Sequence, residues 1–113
     1  MLFRSRLDDV ASDLPVVLIK VDVEGAETRV FKGAANLFAR ADAPSIMFEA
    51  HHAPPLVQQL ESAGYQVFAM GLRRGRPALV PWEQGPNIWR PWDTPNLLAV
   101  KSPRGRAFVG RFL

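Results

Sequence analysis

Cysteine is absent from the 113 residues. That excludes a disulfide framework, a Cys-ligated zinc site, an iron–sulfur cluster and a thiol nucleophile. Histidine is nearly as scarce. His51 and His52 are the two in the chain, too few for a histidine-rich metal site. Long apolar runs are also missing. The run from Pro15 to Ile19 stops at Lys20, far short of the roughly 20 residues that cross a bilayer. The opening stretch carries Arg4, Arg6, Asp8 and Asp9 and lacks the uninterrupted apolar core of a signal peptide. A soluble, cytoplasmic protein without membrane partners is the expectation. What is present is ordinary globular material, 48% hydrophobic and 22% charged. This suits one domain or part of one, with enough apolar surface to offset chain entropy.

The net charge of +3 is unevenly placed. Residues 1–70 hold six Lys/Arg and nine Asp/Glu, or −3, whereas residues 71–113 hold eight Lys/Arg against Glu83 and Asp93, or +6. A basic half can serve an anionic partner. No basic helix or aromatic platform accompanies the charge here, so a solvated basic surface is the expected reading and nucleic acid is not an expected partner. Arg74-Gly75-Arg76-Pro77 matches the core of minor-groove hook peptides, but its place between apolar segments fits a hairpin turn.

The apolar pattern predicts alternating strands and helices. Val16–Val23 is β-branched and nearly continuous in apolar residues, as in a strand buried on both faces of a parallel sheet. Ala26, Val30, Phe31, Ala34, Leu37 and Phe38 then recur at helical spacing. Ser45–Ala50 reads as a second strand, and Pro54-Pro55 opens a second helix with Leu56, Val57, Leu60 and Ala63 on its buried stripe. Gly64 stands where a helix-terminating glycine belongs, and Tyr65–Met70 reads as a third strand. Arg73–Arg76 predicts a turn into Ala78–Val80, residues 81–95 a Pro/Trp-rich loop, and Asn96–Lys101 a last strand before a basic, mobile tail at 102–113. The order strand–helix–strand–helix–strand predicts an α/β fold with right-handed crossovers.

In open α/β sheets ligands bind beyond the carboxyl ends of the strands. Asp22 and Glu24 follow the first strand, and Glu49 ends the second, followed by His51 and His52. Two carboxylates and an imidazole meeting there can deprotonate a hydroxyl or hold a divalent cation. Asp22 or Glu24 can equally cap the following helix. Glu49 is more informative, because a carboxylate closing an apolar strand is costly unless it is paired or lies at a cleft. Trp82, Trp89 and Trp92 suit either a substrate lid or a hydrophobic cover over the sheet edge.

The segment Leu18-Ile19-Lys20-Val21-Asp22-Val23-Glu24-Gly25-Ala26-Glu27 resembles the I-K-[IV]-D-[IV]-E-G-x-E signature of FkbM-type methyltransferases. The flanking pieces agree with it: Leu7-Asp8-Asp9-Val10, Val30-Phe31-Lys32-Gly33-Ala34, Ile46-Met47-Phe48-Glu49, Leu60–Tyr65 and Asn96–Val100. The resemblance implies a Rossmann-like methyltransferase fold and S-adenosylmethionine as cofactor. It further implies a small-molecule or sugar hydroxyl as acceptor. On that reading residues 1–101 are the C-terminal portion of the domain, with a mostly parallel sheet and a C-terminal antiparallel hairpin or strand, and residues 102–113 are a basic tail. No G-x-G turn occurs anywhere in the chain, so the glycine-rich half that cradles the cofactor is expected to be missing.

The implied roles are Glu49 or His51 as the base, with Asp22 and Glu24 positioning substrate or cofactor. No protein metal site is expected. A first strand left at an exposed apolar edge predicts assembly with a complementary N-terminal half or self-association through that edge. The alternative reading is a non-catalytic remnant or interaction module that keeps the half-fold.

Overall fold

The computed structural model describes residues 18–21, 27–49 and 53–113. Among these residues five strands form one sheet: β1 (Leu18–Val21), β2 (Ser45–Glu49), β3 (Gln66–Arg73), β4 (Arg76–Pro81) and β5 (Asn96–Val100). The helices are α1 (Glu27–Lys32), α2 (Ala35–Phe38), α3 (Ala53–Ser62) and α4 (Pro103–Gly110), with a 3-10 helix over Trp82–Asn87. The spatial order is β1-β2-β5-β3-β4.

This order corrects the expectation of a mostly parallel sheet. β1 and β2 are parallel, but β5 runs antiparallel to both β2 and β3, and β4 runs antiparallel to β3. The last strand in sequence has slotted between the second and third. Its composition explains the choice: Leu97, Leu98, Ala99 and Val100 are all buried, so both faces of this strand need covering and only a central place provides it. The expected antiparallel C-terminal part is present in β5 and in the β3–β4 hairpin.

The hairpin turns on two residues. Arg73 pairs with Arg76, and Arg74 and Gly75 between them have φ of 53° and 76°. Two successive positive φ values define the turn whose twist suits a two-residue hairpin. Pro77 and Pro81 sit on β4, an edge strand, where a missing N–H costs no ladder bond.

One face of the sheet carries the main core. Ile46 and Phe48 of β2, Val67 and Ala69 of β3, Val80 of β4 and Leu97 and Ala99 of β5 meet Phe31, Leu37 and Phe38 from α1 and α2 and Leu56, Val57 and Leu60 from α3. Phe31 stands edge-on to Phe38 and Phe48 with ring centroids 5.7 and 5.6 Å apart, and Phe38 stands edge-on to Tyr65 at 5.8 Å. These are the favoured aromatic geometries. The Tyr65 hydroxyl donates to the Pro44 carbonyl at 2.8 Å, and burial pushes its pKa well up. Lys101 Nζ donates to the Phe38 carbonyl at 2.9 Å, placing a cation at the end of α2.

The single helix expected over residues 26–38 is divided at Gly33-Ala34, yet the apolar stripe survives the break, since Phe31, Ala34, Leu37 and Phe38 are all buried. Gly64 has φ of +96° at the end of α3, the left-handed conformation predicted for it.

The other face is thinly covered. Phe68, Leu79, Leu98 and Val100 pack with Val109 of α4, flanked by Met47, Met70 and Phe112. Residues 103–110, expected within a mobile tail, are helical because Ser102 caps them. Its side-chain oxygen accepts from the Gly105 N–H at 3.1 Å, and Pro103 occupies the first turn. Close approach at Gly105 seats the helix, for a Cβ there would lie 2.8 Å from Ser45 Oγ and 3.1 Å from Val100 Cβ. β1 is likewise buried on one face only: Val21 is buried, whereas Leu18 and Lys20 are exposed. The expectation was a strand buried on both faces; among the described residues β1 stands at the edge of the sheet, and its Leu18–Lys20 face is left exposed.

Candidate functional site at the strand ends

β1 and β2 lie side by side and point the same way, with Val21 opposite Phe48. Their carboxyl ends are therefore level. Glu49 closes β2 and is half-buried, on the same face as Ser45 and Met47 by the alternation of the strand. Asp22, Glu24 and His51, the other candidate site residues, lie outside the described residues, as does His52.

The structure adds a neighbour to Glu49. Asn96, the first residue of β5, is its register partner across the β2–β5 ladder, and Met70 of β3 is the next partner along. Directly opposed antiparallel residues have Cβ atoms about 5 Å apart, so the carboxylate and the amide share one position on the sheet. Asn96 Nδ2 donates to the Thr94 carbonyl at 3.1 Å, which fixes the amide.

The loop ahead of β5 is braced by Arg90 and Asp93. The Arg90 backbone N–H donates to Asp93 Oδ2 at 2.8 Å, and its guanidinium donates to Asp93 Oδ1 at 3.0 Å. The Arg90 hydrogen bonds hold the Asp93 carboxyl below its ordinary pKa. This loop sets where β5 begins and hence where Asn96 stands. Sequence reasoning did not single out Asn96 as a site residue. The available signal was a polar residue opening an otherwise apolar strand, but its pairing with Glu49 needed the strand order.

The tryptophans divide between two environments. Trp82 and Trp89 pack against the main core, and Trp89 Nε1 donates to the Met70 carbonyl at 2.7 Å. A side chain at Gly85 would run into the Trp89 ring, so the 3-10 helix is shaped to receive it. Trp92 is exposed, with the Arg90 guanidinium 5.4 Å from its ring centroid. For Trp82 and Trp89 the hydrophobic-cover reading holds.

The described residues do not by themselves make a nucleoside cradle. Gly64 ends a helix, Gly75 turns a hairpin, and Gly85 and Gly105 admit a ring and a strand. None of these opens a strand-to-helix turn of the kind that presents backbone N–H groups to a cofactor. No helix among the described residues is long and apolar enough to cross a membrane.

Glu49 and Asn96 stand side by side at the carboxyl end of β2, the end of a strand at which α/β sheets commonly bind ligands. Comparison with known families makes the assignment specific. The family model described as the methyltransferase FkbM domain matches residues 5–88. The chain belongs to the FkbM methyltransferase family, which generally uses S-adenosylmethionine. No curated protein and no solved structure matches it.

Proposed function

We propose that the chain takes part in S-adenosylmethionine-dependent methyl transfer to a hydroxyl oxygen of a small molecule or sugar, as one half of a split or truncated methyltransferase domain. Family membership supports the methyltransferase class, and the placement of Glu49 carries the site assignment. This carboxylate closes β2 level with the end of its parallel neighbour β1, beside the amide of Asn96. A hydroxyl becomes a competent nucleophile as its proton leaves, and a carboxylate within hydrogen-bond reach accepts that proton. Glu49 is assigned this role, with His51 as the other candidate. Asp22 and Glu24, which follow β1 in sequence, are assigned to positioning substrate or cofactor. The cofactor itself is expected to be held mainly by the complementary half, so only the proton transfer is derived from this chain.

The test joins the chain to the upstream half of an FkbM-domain methyltransferase. Transfer of a labelled methyl group from S-adenosylmethionine to hydroxyl acceptors is then measured. The Glu49→Gln variant is expected to lower turnover by about 100-fold or more, the usual contribution of a general base. Undiminished turnover in that variant rejects Glu49 as the base, and a folded joined protein that neither binds the cofactor nor transfers a methyl group favours the non-catalytic module.

A further inference from the structure

The β3–β4 hairpin breaks two local rules at its tip. Arg73 and Arg76 are directly opposed across the ladder, and like charges in that arrangement repel. Between them Arg74 holds a φ of 53°, a left-handed conformation that asparagine or glycine fills at less cost. Arg73, Arg74 and Arg76 are all exposed, and none of their guanidinium groups has an ion pair or hydrogen bond among the described residues. Glu83 and Asp93 are the acids of residues 71–113. Asp93 is held by Arg90, and Glu83 follows Pro81, which pairs with Phe68 at the far end of the hairpin. Arginine stays charged at any working pH, so three cations stand together with nothing in the described fold to offset them. Local costs of this kind, left without a compensating contact, point to a place kept for binding.

The topology sets where the tip stands. β2 and β3 both run antiparallel to β5, hence parallel to each other, and Glu49, Asn96 and Met70 form one row across the three strands. β3 continues past Met70 to Arg73. Arg73 therefore stands about 10 Å further out than Glu49 and about 10 Å to its side, or about 14 Å from it between Cα atoms. The hairpin overhangs the edge of the sheet at which Glu49 closes β2. By strand alternation Arg73 and Arg76 lie on the face of Val67 and Ala69, and Glu49 lies on the other. A molecule touching both lies across the strand ends, where open α/β sheets take their ligands.

We propose that the hairpin tip is a phosphate-binding arm and that the acceptor is a hydroxylated small molecule carrying a phosphate or diphosphate group. The inference rests on the hydroxyl-methylation reading given above and adds the chemical class of the acceptor. The phosphate oxygens lie among Arg73, Arg74 and Arg76, and the acceptor hydroxyl reaches Glu49 across the strand ends. Guanidinium groups take phosphate oxygens in bidentate pairs, and the anion relieves the repulsion between Arg73 and Arg76. A nucleic acid is the poorer occupant, because it needs a basic track along its backbone. Arg104 and Arg106 flank Gly105, which abuts Ser45 at the opposite end of β2 from Glu49.

The probes are inorganic pyrophosphate and a hexose phosphate, with the free hexose as the uncharged comparison. Each is titrated by calorimetry into the full 113-residue chain and into the joined protein described above. Both phosphates are expected to bind and the free hexose is not. Arg73→Gln and Arg76→Gln are each expected to weaken phosphate binding by about 10-fold. Arg76→Lys is expected to weaken it nearly as much, since an ammonium group keeps the charge and loses the planar fork. Arg74→Asn is expected to bind phosphate more weakly while melting at or above the parent temperature, because asparagine suits the turn. Arg106→Gln, an equal loss of charge away from the hairpin, is expected to bind as the parent does. Absence of phosphate binding, equal binding by the parent and the hairpin variants, or an equal loss in Arg106→Gln overturns the proposal. Binding of a duplex oligonucleotide that the hairpin variants lose and pyrophosphate does not displace also overturns it and makes nucleic acid the partner. Methyl transfer is read separately. Phosphate binding through the hairpin in a joined protein that transfers no methyl group sustains the arm and defeats the functional reading. Transfer to phosphorylated and unphosphorylated acceptors alike, unaltered by Arg73→Gln, does the reverse.

Discussion

The two faces of the sheet are built to different standards. On one, three helices and the 3-10 helix press Phe31, Phe38, Phe48, Leu56 and Leu60 to near-complete burial. On the other, among the described residues, α4 alone covers part of the surface, and Met47, Met70 and Phe112 are only partly buried. Alternation along a strand assigns adjacent residues to opposite faces, so Phe48 and Met47 sample the two environments from neighbouring positions. The difference teaches that the stability of the described fold is concentrated on the first face, while among the described residues the second leaves Leu18 and Phe108 half-exposed.

The largest effect expected follows from that pair. Phe48→Ala removes a ring that is 2% exposed and edge-on to Phe31, and should cost about 3–5 kcal/mol in a denaturant titration. Met47→Ala should cost about 1 kcal/mol. Equal losses would break the contrast between the faces.

A smaller effect is expected where the second face is closed. Gly105→Ala forces a methyl group toward Ser45 and Val100 and should cost about 1–3 kcal/mol through the overpacked contact between α4 and the sheet. Hydrogen exchange should show residues 103–110 losing protection before the first face does.

Tyr65 sharpens the comparison from the packed side. It is the single tyrosine in the chain, so the phenolate absorbance reports on it alone. Burial raises its folded pKa above the unfolded value of about 10. Its contribution to stability is therefore full below about pH 10 and is lost as pH rises further, because the unfolded phenol ionises while the buried one resists. Phenolate absorbance should appear together with unfolding; its appearance in the folded protein near the ordinary value would show that this face is less tightly closed than its geometry indicates. Tyr65→Phe should remove that tyrosine-linked alkaline destabilisation and cost about 1 kcal/mol at neutral pH, by leaving the Pro44 carbonyl without its donor. Ser102→Ala should cost about 1 kcal/mol or slightly less, the usual value of a helix N-cap.

Much of the fold was legible in the sequence because burial leaves a period. The strands at 18–21, 45–49, 66–73, 76–81 and 96–100 fall on segments read as extended, and α3 begins at the Pro54-Pro55 signal and stops at Gly64. The two-residue turn at Arg74-Gly75 was legible as a turn from its glycine and its apolar flanks. The helix at 103–110 was not read, since Gly105, Gly110 and two arginines give it a weak stripe. Ser102-Pro103 was the signal that could have found it. Of the site, Glu49 at a strand end was visible from an acid closing an apolar run, whereas Asn96 beside it was not, because cross-strand pairing is set by strand order and register.

By itself, the sequence determined the local elements, the family signature around Lys20 to Glu27, and the exclusion of cysteine-based chemistry, because each depends on residue identity or short-range period. Only the tertiary structure decided that β5 enters between β2 and β3, that Asn96 faces Glu49, and that, among the described residues, one face of the sheet is closed while the other leaves Leu18 and Phe108 half-exposed. Those outcomes come from contacts between residues distant in the chain. They are selected by which strand must be buried on both faces and by how far the available helices reach.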